Sequence, residues 1–285
     1  MNNRAEFAPA VNQKRVVVTI ISDTYNFLID TMTSAAEELT KRRGEALKIS
    51  VKPDASLVTE ADLASEKVII ERIKKYFPDD QIFAEESGRS SEARQPGSSV
   101  WVVDPLDGTT NYANGYPHYC ISIGRGVFDS NGRIQIDTGA VYDAVREKFY
   151  FAEHGKGAHC NGRSLKVAPP RPFQESFLVT GFYYLEGPDL EREVTRFSKI
   201  VQQCHSIRRD GSAALDLAMV AEGIFDAFWE LGLAPWDVAA GTLLVREAGG
   251  VTRNYPSSVG SYDIEGHGII AGTPGTVQAL ARHLC

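Results

Sequence analysis

Residues 100–124 read VWVVDPLDGTTNYANGYPHYCISIG. The β-prone run Trp101-Val102-Val103 feeds directly into Asp104-Pro105-Leu106-Asp107-Gly108-Thr109-Thr110-Asn111. Open α/β folds place their chemistry at such strand ends. Two aspartates three residues apart, with Pro105 and Gly108, predict a turn that brings both carboxylates to one point. The Leu106 carbonyl can turn inward as a further oxygen ligand. Gly108 and Thr109 offer backbone N–H groups to an anion if a helix starts there. Hard oxygen ligands of this kind suit magnesium. The octapeptide alone fits a capped turn equally well, because Asp is favoured in turns and at N-caps and Gly follows naturally.

Two more acidic positions tilt the balance. Phe83-Ala84-Glu85-Glu86-Ser87 ends a short strand with adjacent glutamates, a pattern that by itself describes a solvated strand end. Trp236-Asp237-Val238-Ala239-Ala240-Gly241 sets an aspartate before an Ala-rich helix that ends in Glu247-Ala248-Gly249-Gly250. Alone, Asp237 reads as a helix N-cap.

Outward from this segment, helical and strand periods alternate. Ile20, Phe27, Met32 and Ala36 recur near helical period between Val16 and Arg43, with Gly44 as a stop. Residues 45–61 read as strand and loop around Pro53. Glu60 to Tyr76 predicts an amphipathic helix with Leu63, Val68, Ile69 and Ile73 on its apolar side, ended by Pro78. Gln81–Ala84 and Ser99–Val103 are β-prone, and the polar stretch Ser87–Ser98 between them reads as a mobile loop. Ile121–Phe128, Thr138–Asp143 and Lys148–Ala152 read as consecutive strands. Ser212–Glu222 and Val238–Ala248 predict helices; Phe225–Glu230 and Gly268–Ala271 predict strands. The order of elements implies a layered α/β sandwich.

Composition bounds the function. A chain of 285 residues with 43% hydrophobic residues buries a substantial core without disulfides or a structural metal. A net charge of −7 gives no general attraction to nucleic acid or to anionic membranes. An acidic protein acting on an anion needs a local reversal of sign, which a bound divalent cation supplies. Cysteines 120, 160, 204 and 285 form no C-x-x-C pair and read as free thiols in a reducing cytoplasm. Residues 1–14 read as a flexible tail without a signal-peptide core, and the apolar run Val16–Ile21 is too short to span a bilayer.

The signatures of rival chemistries are missing from the sequence. There is no G-x-x-x-x-G-K-[ST] phosphate loop, no dinucleotide fingerprint and no G-x-S-x-G elbow. Cys120 and Arg125 are one residue too close for C-x5-R. Leu106 stands where an aspartyl-phosphate enzyme needs the second Asp of D-x-D. The histidines are scattered without i, i+4 pairing and read as surface or core residues rather than zinc ligands.

Together these segments resemble the inositol monophosphatase family of metal-dependent, lithium-sensitive phosphatases, in its bacterial form. Asp104 to Asn111 matches D-P-x-D-G-T-x-N in full. Trp236 to Gly241 and Ala248 to Gly250 match W-D-x-A-A-G followed by A-G-G. The E-E-S strand end, the upstream Lys52, Thr59 and Asp62, and the run from Gly211 to Ala218 match as well. The resemblance implies an αβαβα sandwich over one domain, residues 15–285, and a homodimer. It implies two or three magnesium ions. Glu85, Asp104 and the Leu106 carbonyl would hold the first; Asp104, Asp107 and Asp237 the second; Glu85 would help hold a third. Thr109 with Asp62 would orient the attacking water, and the Gly108 and Thr109 N–H groups would contact phosphate. Gly211, Ser212, Ala213 and Glu230 would face the alcohol half of the substrate.

The implied reaction is hydrolysis of myo-inositol monophosphate by direct attack of a metal-bound water. The same chemistry on fructose-1,6-bisphosphate, a 3′-phosphonucleotide or histidinol phosphate is an alternative, as fold likeness does not choose the substrate. A regulatory role as a binding partner of the transcription machinery is another. Asn114, Tyr183 and Asp210 depart from the family pattern, and bear on substrate identity rather than on the metal ligands. Arg208 and Arg209 read as a surface or dimer salt bridge, or as a second anion site.

Overall fold

The computed structural model describes residues 22–43, 49–51, 57–182, 187–256 and 262–284. The expected tail, residues 16–21 of the first helix, the stop at Gly44, and Lys52, Pro53, Tyr183 and Cys285 lie outside those residues.

Helix α1 (Asp23–Arg42) starts where the Ser22 hydroxyl accepts from the Tyr25 N–H, with Asp23 in its first turn and Lys41 and Arg42 in its last. Both placements complement the helix dipole. Strands β1 (Ile49–Val51) and β2 (Leu57–Thr59) pair antiparallel. Helix α2 (Glu60–Tyr76) has the predicted bounds, since a capping box between Thr59 and Asp62 starts it and Pro78 follows its last turn. One expectation fails here: Leu63 is 54% exposed. The buried stripe of α2 runs through Ala61, Ser65, Ile69 and Ile73, every fourth residue, and Leu63 points away from it.

Strands β3 (Gln81–Ala84), β4 (Gly88–Arg89) and β5 (Ser99–Asp107) come next. The stretch expected to be a mobile loop thus contains β4, and Arg89 and Arg94 both tie it to Glu265. After the short helix α3 (Thr109–Ala113) follow β6 (Cys120–Phe128), β7 (Ile134–Asp143), β8 (Lys148–Glu153), β9 (Ala158–Cys160) and β10 (Arg163–Ser164). The remainder is β11 (Phe177–Thr180), α4 (Gly187–Val201), β12 (Ser206–Arg208), α5 (Ala213–Ala221), β13 (Ala227–Leu231), α6 (Pro235–Glu247), β14 (Val251–Asn254), β15 (Gly268–Gly272) and α7 (Pro274–Leu284).

The first large sheet has eight strands in the order β10-β9-β8-β7-β6-β5-β3-β4, the second five in the order β12-β11-β13-β15-β14. Helices α1 and α2 cover the outer face of the first, α5 and α6 fill the space between the sheets, and α4 and α7 cover the outer face of the second. This is the five-layered αβαβα sandwich. Strand β5 shows why the layers form. Val100 and Val102 enter the central core while Trp101 and Val103 enter the outer one, as the period of two requires when both faces are covered. Each such fully buried side chain contributes about 1.5–3 kcal/mol.

Close approach of α6 to the first sheet depends on two glycines. A Cβ at Gly124 would lie 2.8 Å from the Ala239 Cβ, and one at Gly139 would lie 2.9 Å from the Ala240 Cα and carbonyl oxygen. The neighbour at Gly139 is backbone, which cannot rotate away. Gly139→Ala is therefore expected to destabilise the protein by about 1–3 kcal/mol through overpacking. Denaturant unfolding of the variant measures this.

Candidate active site

Asp104 and Asp107 end β5, which runs on through Pro105 to Asp107 where the sequence predicts a turn. The pairing with β6 shifts register between Asp104 and Asp107, a bulge that accommodates a proline lacking an N–H. Both carboxylates still converge. The Leu106 N–H donates to Asp104 Oδ1 (3.0 Å), and the Ser65 hydroxyl of α2 donates to the Pro105 carbonyl (2.8 Å), pinning the bulge from below. Asp107 Oδ2 accepts from the Ser212 hydroxyl and the Ala214 N–H, both at 2.7 Å. The start of α5 therefore fixes Asp107.

Asp237 is the third residue of α6, not its N-cap. Its Oδ2 accepts from the Ala234 N–H at 2.7 Å, the return half of a capping box. One oxygen from each of Asp104, Asp107 and Asp237 lies within 4.8 Å of the others. Glu85 leaves β3 beside them, because β3 and β5 are parallel neighbours with Ala84 opposite Val103. The Glu85 N–H donates to the Val103 carbonyl (3.1 Å), and that of Glu86 to Glu66 Oε2 (2.9 Å).

Crowding shows in the acidities. Burial, then Glu85, Asp107 and Asp237, raises Asp104 well above the usual carboxylate range. Burial, then Asp107 and Glu85, does the same to Asp237. Burial also raises Asp107, against the lowering by Ser212 and Ala214. Like charges this close cannot all ionise without a cation. An all-oxygen donor set that holds its protons until a cation arrives fits magnesium.

Thr109 opens α3, as its predicted role requires. Its hydroxyl lies 2.8 Å from Asp62 Oδ1 and 3.0 Å from the Leu106 carbonyl, and donates to one of them at a time. The other oxygen of Asp62 accepts from the Thr59 N–H (2.8 Å) and hydroxyl (2.6 Å). Asp62 thus caps α2 with one oxygen and meets Thr109 with the other. Burial raises its pKa. Gly108 sits at φ 93°, and a Cβ there would lie 3.0 Å from the His118 carbonyl. Only glycine suits both constraints.

Every predicted site residue except Asp62 lines one cavity of about 550 Å³. Several supporting residues escape a reading of the sequence. Asn111, inside the central motif, donates from Nδ2 to the carbonyls of His118 (2.7 Å) and Asp210 (2.8 Å), which ties α3 to the loop before α5. Cys120 Sγ lies 3.8 Å from Asp107 Oδ2. His118 is buried, with Nε2 3.0 Å from Asp216 Oδ1, and Asp210 lies beside the pair. Arg209 lines the cavity and donates to the Phe182 carbonyl (3.2 Å), while Arg208 stacks on Phe177. Neither arginine forms an ion pair among the described residues. Cys120, Cys160 and Cys204 are free thiols.

Fold and site define a phosphatase built on convergent carboxylates. The inositol monophosphatase family model matches residues 21–285. The chain is 37% identical to the Nus factor SuhB of Pseudomonas aeruginosa, over 90% of this chain and 93% of that one. It is 40% identical to the inositol-1-monophosphatase of a Synechocystis species, over 80% and 78%. The crystal structure of the extragenic suppressor protein suhB from Bartonella henselae superposes with a TM-score of 0.82 at 34% identity, covering 92% of this chain and 98% of the other. The chain belongs to the inositol monophosphatase family. Among the described residues no helix is long and apolar enough to cross a membrane.

Proposed function

We propose that this chain hydrolyses small polyol monophosphates, myo-inositol monophosphate first among them, with two or three magnesium ions. The observation that carries the reading is the convergence of Asp104, Asp107 and Asp237 within 4.8 Å, on the wall of the cavity that Glu85 and Thr109 share. Glu85, Asp104 and the Leu106 carbonyl would form one ligand set and Asp104, Asp107 and Asp237 another, and Glu85 would help hold a third ion. When bound, magnesium neutralises this cluster, polarises the phosphoryl oxygens and acidifies water.

The chain's own residues do the rest. The Leu106 carbonyl would be left to the cation, and the Thr109 hydroxyl donates its hydrogen bond to Asp62 Oδ1. Its oxygen is then free to accept from the attacking water and hold it in line. The Gly108 and Thr109 N–H groups meet the phosphate oxygens. Gly211, Ser212, Ala213 and Glu230 face the alcohol, with the Ser212 hydroxyl already committed to Asp107. Phosphate monoesters are among the slowest substrates to hydrolyse unaided, so this electrostatic demand is large. The same reading makes the chain one catalytic domain from residue 15 to 285, a cytoplasmic homodimer inhibited by lithium.

Turnover of inositol 1-phosphate, fructose 1,6-bisphosphate, a 3′-phosphonucleotide and histidinol phosphate, each with magnesium and with EDTA, tests it. Inositol phosphate is expected to be fastest, with activity lost in EDTA and reduced by lithium. Negligible inositol phosphate turnover beside fast hydrolysis of another ester would remove inositol from the reading.

The names of relatives such as the Pseudomonas Nus factor favour a second reading, contact with the transcription machinery. Cells complemented with Asp104→Asn separate the two: full rescue by a catalytically dead chain supports the binding role.

A further inference from the structure

Away from the carboxylate cluster, the cavity is walled by the ends of two parallel neighbours, β11 and β13. Gly181 follows β11, and Glu230 lies in β13 one residue past Trp229, which pairs with Thr180. The Glu230 carboxyl makes no hydrogen bond or ion pair among the described residues. Burial, with Asp216 and Asp107 adding, pushes its pKa up to about 8. At neutral pH this group is mostly a neutral carboxyl, able both to donate and to accept.

A Cβ built on Gly181 would fall on all three outer atoms of that carboxyl. Gly181 is not in the left-handed region, so its backbone does not demand glycine. Both backbones are tied to their neighbours. The Thr180 hydroxyl donates to the Trp229 carbonyl across the strands (2.6 Å, buried), and the Phe182 carbonyl accepts from Arg209. Glu230 is itself paired with Ile269 of β15. What can yield is the Glu230 side chain, through its torsions, into the cavity.

We propose that Gly181 is a positioning residue: its missing side chain is the space that seats the Glu230 carboxyl, so residue 181 decides where this wall meets the hydroxyl groups of the substrate's alcohol. The proposal rests on the reading of Glu230 given under Proposed function. It predicts a substitution that moves a binding group without breaking a core contact.

The test compares wild type, Gly181→Ala, Glu230→Ala and the double variant, as full chains with magnesium. KM and kcat are measured for the best polyol phosphate and for p-nitrophenyl phosphate, whose leaving group has no hydroxyl to meet the wall. Gly181→Ala is expected to raise KM for the polyol ester roughly ten- to hundredfold, the worth of one or two misplaced hydrogen bonds. Its kcat and its KM for the aryl ester stay near wild type. The double variant is expected to be no worse than Glu230→Ala. An unchanged KM in Gly181→Ala overturns the proposal, as does a further loss of the same size on the Glu230→Ala background. If Gly181→Ala does not fold and the double variant does, the clash with Glu230 is demonstrated directly; if neither folds, residue 181 serves packing and the proposal falls. A wild type that ignores inositol phosphate but hydrolyses another hydroxylated ester defeats the substrate reading alone, and the comparison is then made on that ester. Independently of any substrate, a crystal structure of Gly181→Ala locates the Glu230 carboxyl, and a carboxyl still in its wild-type place overturns the seat.

Discussion

Asp104→Asn is expected to lower kcat at saturating magnesium by roughly a thousandfold or more while making the metal-free fold more stable. Asp104 is common to both proposed ligand sets, so the substitution removes charge from each. Near-normal turnover at high magnesium would refute its assignment. The stability half of the prediction follows from acidity. The folded-state pKa values of Asp104 and Asp237 lie well above the unfolded value of 3.8. Between that value and the raised ones, the folded metal-free chain binds more protons than the unfolded chain, so its stability falls as pH rises. Asp104→Asn removes one of the groups responsible and should flatten that fall. Magnesium should oppose it in the wild type. Thermal unfolding in EDTA at about pH 5 and about pH 8, for both proteins, reads the difference. A metal-free wild type that gains stability towards the higher pH would contradict the repulsion argument.

Thr109→Ala should separate chemistry from metal binding. Its hydroxyl touches Asp62 Oδ1 and the Leu106 carbonyl but none of the clustered carboxylates. Loss of the group that holds the water is expected to reduce kcat by about a hundredfold or more. Magnesium affinity, followed by titration calorimetry, should stay near the wild-type value. A fall in affinity as large as the fall in kcat would mean that Thr109 shapes the ligand cage rather than the water. Asp62 is a poorer probe, since the same carboxylate caps α2 and its removal also loosens that helix.

The legible parts of the fold are those whose signals are local. The bounds of α2 follow from a capping box at one end and a proline just past the other. Leu63 lies off the buried stripe because helical spacing admits more than one apolar stripe, and only packing against α1 and β5 selects among them. Strand β11 is a four-residue run, Phe177–Thr180, too short to show a period, and Asp237 reads as an N-cap until the helix is seen to start at Pro235. At the site, the proposed ligand residues are visible as residue types at fixed spacings. Their supports are not: Ser212 lies 105 residues from the aspartate it holds.

By itself the sequence determined the family and the candidate hard-oxygen ligands, since D-P-L-D-G-T, E-E-S and W-D each place a carboxylate at the end of a strand or the start of a helix through local backbone preferences. Only the tertiary structure decided that these ends meet, that Asp107 is fixed by α5, and that Gly181 leaves its volume to Glu230. Those facts depend on sheet order and register, which bring together segments far apart in the chain, and no spacing within one segment encodes them.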